Sequence, residues 1–194
     1  MSSSTNPEPT LSFESDAGWA AWLAQNHGSS SGVWLRLAKK SSSALSVSYA
    51  EAIDVALCYG WIDGQKRGDS DQHWLQRFTP RKRRSIWSQI NRQKALSLIA
   101  RDEMKPAGLR EVERAKSDGR WEGAYDSAGS ATVPSDLQAA LDVNAKAKTF
   151  FATLNGQNRY AVLFRIPAAK PAETRAKRIQ MFVQMLERHE TLHP

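Results

Sequence analysis

The sequence predicts an α+β protein: a small antiparallel sheet of about three strands packed with helices, followed by an all-helical C-terminal module. Three observations carry the prediction. The segments around Val33, Trp61 and Trp74 alternate with the period of two that a half-buried strand needs. From Ser85 onward apolar residues recur at i, i+3 and i+4, and no later segment reads as a strand. The small-residue stretch Ser127 to Pro134 (SAGSATVP) then separates an α+β unit of residues 13–126 from a helical unit of residues 133–190. With 194 residues, of which 41% are hydrophobic and 24% charged, the chain buries roughly 70% of its unfolded surface, so it needs neither metal nor disulfide to hold a core.

The elements follow in order. Residues 1–11, rich in Ser, Pro and Thr, are expected to be a disordered lead, with structure beginning at Phe13. Ser15 or Asp16 caps a helix that places Trp19, Trp22 and Leu23 on one face, and Asn26-His27-Gly28 stops it. GVWLRLAKK sets Val33, Leu35 and Leu37 against Trp34, Arg36 and Ala38 and reads as a strand. Ser48 and Glu51 form a capping box for a helix with Ala52, Ile53, Ala56 and Leu57 inward, ended by Gly60. WIDGQKR and HWLQRF are strands joined by the turn residues Gly68 to Asp71. Ile86 to Asp102 is helical. Pro106 opens the next helix, with Leu109, Val112 and Ala115 on one face and a stop at Gly119. Three short helical pieces follow, and after Pro171 the longest stripe carries Ile179, Phe182, Val183 and Leu186.

Composition limits function. The net charge is +7 and the pI about 9.7. Residues 1–32 hold three acids and no Lys or Arg, leaving 27 basic residues against 17 acidic ones in the remainder. Such a balance favours polyanions, whether nucleic acid, phosphate-bearing metabolite or anionic lipid. The single cysteine, Cys58, permits no intrachain disulfide, and the histidines, His27, His73, His189 and His193, are too scattered for a zinc site. No metal or cofactor is expected. The sequence has no run long enough to cross a bilayer, so no membrane insertion is expected, and its first residues resemble no secretory leader. The expected location is the cytoplasm. Walker, GxGxxG, GxSxG and HExxH patterns are absent from the sequence.

Unusual residues concentrate between Tyr59 and Asn91. A strand from Trp61 puts Trp61 and Asp63 on one face. A helix begun after Ser85 makes Trp87 and Asn91 neighbours at i and i+4, next to an N-terminus that favours an anion, with Arg77 and Arg81 arriving at the same end. Guanidinium forks, an indole face and a helix terminus describe a site for a phosphate, carboxylate or nucleobase. Trp61, Asp63, Arg77, Arg81, Trp87 and Asn91 are therefore the candidate ligand-binding residues. In the plainer reading Asp63 pairs with Arg77 or Arg81 to lock sheet to helix and the tryptophans are core. Arg81, Lys82, Arg83 and Arg84 form the candidate nucleic-acid contact. Cys58 reads as a small buried hydrophobe, and His73 as a strand residue without a catalytic partner.

LCYGWIDGQK, RFTPRKRRSIWSQIN, MKPAGL and AKSDGRWEGAYD, with the C-terminal VPSDLQAAL and AKPAETRAKRIQMFVQML, resemble the YdeI/OmpD-associated, or bacteriocin-protection, proteins over residues 13–190. One departure is Pro167, within Arg165 to Lys170, where the resemblance implies an unbroken helix. The resemblance implies a role in tolerance of antimicrobial peptides. It brings no reaction, cofactor or catalytic residue with it.

Three function classes follow. The first is a cytoplasmic, non-enzymatic accessory protein of stress or antimicrobial-peptide tolerance that binds a small anionic ligand or a protein partner through the Trp/Arg/Asp cluster. The second is a nucleic-acid-binding protein using Arg81 to Arg84, with tryptophans to stack on unpaired bases. The third is an enzyme with Asp63 as general base, which would need a raised carboxylate pKa beside arginines that lower it. Direct sequestration of a cationic peptide is disfavoured by like charge.

Overall fold

The computed structural model describes residues 8–166 and 171–194 and divides the chain into two units, the first ending at Ala124 and the second beginning at Tyr125. The first unit is α+β. Its elements are β1 (Thr10–Leu11), α1 (Asp16–Asn26), β2 (Val33–Ala38), α2 (Tyr49–Cys58), β3 (Trp61–Gly68), β4 (His73–Pro80), α3 (Gln89–Ala100) and α4 (Pro106–Ser117). The sheet order is β1-β2-β4-β3. The expected antiparallel strands are there, β2 with β4 and β4 with β3. A fourth strand, β1, pairs parallel to β2 and makes the sheet mixed. Residues 8–11 therefore depart from the expected disordered lead: Trp34 N–H donates to Pro9 O at 2.9 Å and Glu8 is tied to Arg77. Residues 1–7 lie outside the described residues.

Local chemistry sets the helix starts. Ser15 Oγ caps α1, and Ser48 with Glu51 makes the reciprocal capping box of α2. Ala52, Ile53, Ala56 and Leu57 are buried as their spacing requires, against Trp19 and Leu23 of α1 and Val33, Leu35 and Leu37 of β2. Trp19 spends its one polar atom on Ala52 O at 3.1 Å, which lets the indole be fully buried. Between β3 and β4 the register slips between Asp63 and Lys66, and the buried Gln76 amide satisfies the displaced carbonyls of Gly64 and Gln65. α3 starts three residues later than expected, because Ser88 rather than Ser85 caps it through Asn91 N–H at 3.1 Å. On α4 Val112 and Ala115 are buried, but Leu109 is 38% exposed.

Two glycines are required by close approach. Gly60 has φ +74°, and a Cβ there would lie 2.9 Å from Glu111 Cγ and 3.0 Å from Ala107 O. A Cβ on Gly108 would lie 2.4 Å from Cys58 O. Together they seat the first turn of α4 on the end of α2, where Lys105 N–H also donates to Cys58 O at 3.1 Å.

The second unit is helical among its described residues: α5 (Ser135–Asp142), α6 (Ala145–Thr153), α7 (Gly156–Arg165) and α8 (Ala172–Glu187). Ile179, Phe182 and Leu186 of α8 share a core with Leu137, Leu141, Phe151 and Leu163. Asn158 is buried and clamps the C-terminal tail, its Oδ1 accepting from the N–H groups of Leu192 and His193 and its Nδ2 donating to His193 O. α7 ends at Arg165, and Pro167 lies outside the described residues.

Candidate functional site

β4 delivers the chain to the site. Its last residue, Pro80, faces Trp61 across the ladder, and Arg81 N–H donates to Gly60 O at 2.9 Å, so the backbone at Arg81 is pinned. The Arg81 side chain is only 6% exposed. It lies over the Trp87 ring at 3.6 Å, a cation–π distance, and its Nη1 donates to Ile86 O. Trp87 is buried and meets Trp121 edge-on at 4.9 Å between centroids. Its indole N–H is buried with no hydrogen-bond acceptor among the described residues.

α4 and the turn after it supply the rest. Glu111 and Arg114 form an ion pair one helical turn apart. Arg120 reaches Ser85 O with Nη1 at 2.6 Å and is braced by Asp118. Burial pushes the Glu111 carboxyl above the usual carboxylate range, against the opposing pull of Arg114, Arg81, Arg120 and Arg110. Asp118, by contrast, is held below its ordinary value, chiefly by its hydrogen bond to Arg120. Arg81, Arg114 and Arg120 thus act together on the Glu111 carboxyl, with Asp118 beside Arg120.

Of the six residues expected to converge, Arg81 and Trp87 are in contact and the others are engaged elsewhere. Trp61 is a core residue, edge-on to Trp19 and Trp22 at 6.2 and 6.0 Å, with its N–H on His27 O. Asp63 lies opposite Phe78 on β4, so the adjacent Arg77 points to the other face of the sheet. Asp63 accepts from Tyr49 Oη at 2.6 Å. Arg77 makes a two-pronged ion pair with Glu8 and a third bond to Gln65. The reading in which Asp63 pairs with Arg77 is therefore corrected. Asn91 contributes its backbone to the Ser88 cap, and Trp87 precedes that cap, so the two are not neighbours on one helix. In the basic run Lys82, Arg83 and Arg84 are exposed, whereas Arg81 is buried.

Sequence reasoning missed Glu111, Arg114, Arg120 and Trp121. The signal for the pair was the i, i+3 spacing of Glu111 and Arg114, and for the others the RWEG run just past Gly119. Chemically the cluster offers donors and aromatic faces, the means to hold an anion. Cys58 is buried and its thiol is pushed up to about 11 by burial, which disqualifies it as a nucleophile at neutral pH. No group of His, Cys, Asp and Glu among the described residues has the arrangement of a metal site. In the helical unit a groove of about 670 Å³ runs beside α5 and α8, with Ile179 and Val183 in its wall and the Arg175–Asp136 ion pair on its lining.

Residues 11–111, just over half of the chain, match a family described as a domain of unknown function, DUF8412. Residues 130–189 match the family described as bacteriocin-protection, YdeI or OmpD-associated. The GWIDG, FTPR and SIWSQIN motifs thus fall within the first match and the helical module within the second. No curated protein and no solved structure matches the chain.

Proposed function

The chain belongs to the DUF8412 family and carries a bacteriocin-protection segment at residues 130–189, and from that premise we propose that it is a cytoplasmic, non-enzymatic accessory protein of antimicrobial-peptide tolerance. In this reading the first unit binds a small anion-bearing ligand at the Arg81–Trp87 cluster. The observation that supports it is the gathering of Arg81, Arg114 and Arg120 about the half-buried Glu111 beside two tryptophans, with the Trp87 N–H left without a hydrogen-bond acceptor among the described residues. No nucleophile and base are paired at the cluster among the described residues, which favours binding over catalysis.

The test is a thermal-shift series with inorganic phosphate and simple dicarboxylates. An anion that binds the folded state raises the melting temperature by mass action. Wild type is expected to show a saturable, salt-sensitive shift, and Arg81→Lys, which keeps a charge but loses the fork and the stack, is expected to lose most of it while remaining folded. A wild-type protein indifferent to every anion, or an Arg81→Lys variant that responds equally, overturns the proposal.

A further inference from the structure

The basic run that follows β4 is left unused by the cluster. Only Arg81 turns inward, and Lys82 to Ser85 close a tight turn, Ser85 N–H donating to Lys82 O and Lys82 N–H donating to Ser85 Oγ, both at 2.9 Å. Arg83 and Arg84 sit at its tip. Lys82, Arg83 and Arg84 are exposed, and none of the three forms an ion pair among the described residues. Arg120 reaches Ser85 in the same turn, and the acid it brings, Asp118, is already matched by Arg120 itself. Immediately after the turn come Ile86 and Ile90, 54% and 52% exposed. A lone exposed isoleucine is ordinary, but two of them within six residues after an unneutralised tribasic turn put exposed aliphatic and cationic side chains close together in the chain.

We infer that the Lys82–Arg84 turn and the exposed Ile86 and Ile90 form a docking face for an anionic lipid surface, which holds the folded protein at the bilayer boundary without crossing it. Charge complementarity selects this occupant, and the apolar neighbours distinguish it from nucleic acid. A single-stranded nucleic acid gains affinity from an aromatic that stacks on its bases, and the adjacent Trp87 is buried under Arg81 and beside Trp121. What stands exposed is aliphatic, suited to the headgroup and acyl boundary and of no use against a phosphodiester chain. The rigid turn places the three cations together, so little ordering entropy opposes their simultaneous contact. This inference does not depend on the anion cluster, to which none of Lys82, Arg83, Arg84, Ile86 and Ile90 contributes a side chain.

The full chain is to be co-sedimented with large unilamellar vesicles of phosphatidylcholine alone and of phosphatidylcholine mixed with phosphatidylglycerol. Binding is expected only with the anionic lipid. Replacing the cations together (Lys82→Gln, Arg83→Gln, Arg84→Gln) should weaken it about a hundredfold. Ile86→Ser with Ile90→Ser should weaken it about tenfold with the charge untouched. All five side chains are exposed, so melting temperatures close to wild type check that the variants fold. For the unaltered protein, adding salt should lower binding steeply. No binding to anionic vesicles at low salt overturns the inference. So does an isoleucine variant that binds like wild type, or a single-stranded oligonucleotide that binds both proteins equally and strips them from vesicles, since the face is then a general polyanion site.

Discussion

Gly108→Ala sets two physical effects against each other. Replacing glycine within a helix ordinarily stabilises, by about 1 kcal/mol through helix propensity. Here the new methyl would lie 2.4 Å from Cys58 O, 2.6 Å from Leu57 O and 2.8 Å from Cys58 C, all backbone atoms at the end of α2 that cannot rotate away. Restoring a carbon–oxygen separation of about 3.3 Å moves α4 back by roughly 0.9 Å. That retreat stretches the Lys105 N–H to Cys58 O bond, now 3.1 Å, at a loss of about 1 kcal/mol. Overpacking adds about 1–3 kcal/mol. The net is a destabilisation of about 1–3 kcal/mol, or a melting temperature lower by roughly 3–10 °C for a protein of this size. All seven tryptophans, from Trp19 to Trp121, lie in the first unit, so urea unfolding followed by tryptophan fluorescence reads the unit concerned without interference from the helical module. A variant as stable as wild type, or more stable, would mean that helix propensity wins and that the close α2–α4 contact does not exist.

Two further predictions follow from the same kind of reasoning. Ile179→Asp puts a charge into the core of the helical unit, where Ile179 is 7% exposed, and should lower stability by about 3 kcal/mol or more. Far-ultraviolet circular dichroism in urea should register the loss, and an unchanged profile would mean α8 is not docked. Glu8 is held below the usual carboxylate range, first by its hydrogen bond to Arg77. A depressed folded pKa contributes stability above the unfolded value and loses it as the pH falls through the folded value. Wild type should therefore exceed Glu8→Gln by about 1 kcal/mol at neutral pH, with the gap closing only below the ordinary glutamate range. A gap that persists at low pH, or none at neutral pH, would rule out the Glu8–Arg77 pair as a source of stability.

What was legible in the sequence was what neighbours in sequence decide. Ser48 and Glu51 need only each other to open α2, and the burial of Ile179, Phe182 and Leu186 follows from spacing along one helix. β1 was missed because two residues carry no periodicity. Its existence depends on Trp34 offering an N–H to Pro9 O across the sheet edge. The start of α3 was misplaced for a related reason. Ser85 and Ser88 are equally good caps by composition, and burial of Trp87 against Trp121, 34 positions away, accompanies the choice of the second.

The candidate site shows the same division more sharply. Putting Asp63 beside Arg77 required the right pairing register, and register is a property of two strands rather than one. With Asp63 opposite Phe78, strand parity sends Arg77 to the far face, where Glu8, from a segment read as disordered, neutralises it. Arg81 escapes that parity because β4 ends at Pro80 and the chain turns inward over Trp87. Glu111 on α4, on whose carboxyl Arg81 acts, comes close because Gly60 and Gly108 have no side chains to keep α4 away. The motif glycines and the arginine–tryptophan cluster are thus one device. The glycines admit α4, and α4 carries in Glu111 and Arg114, with Arg120 and Trp121 just beyond its end. A sequence reading that treats GWIDG and MKPAGL as separate motifs sees two turns where the structure has a single contact.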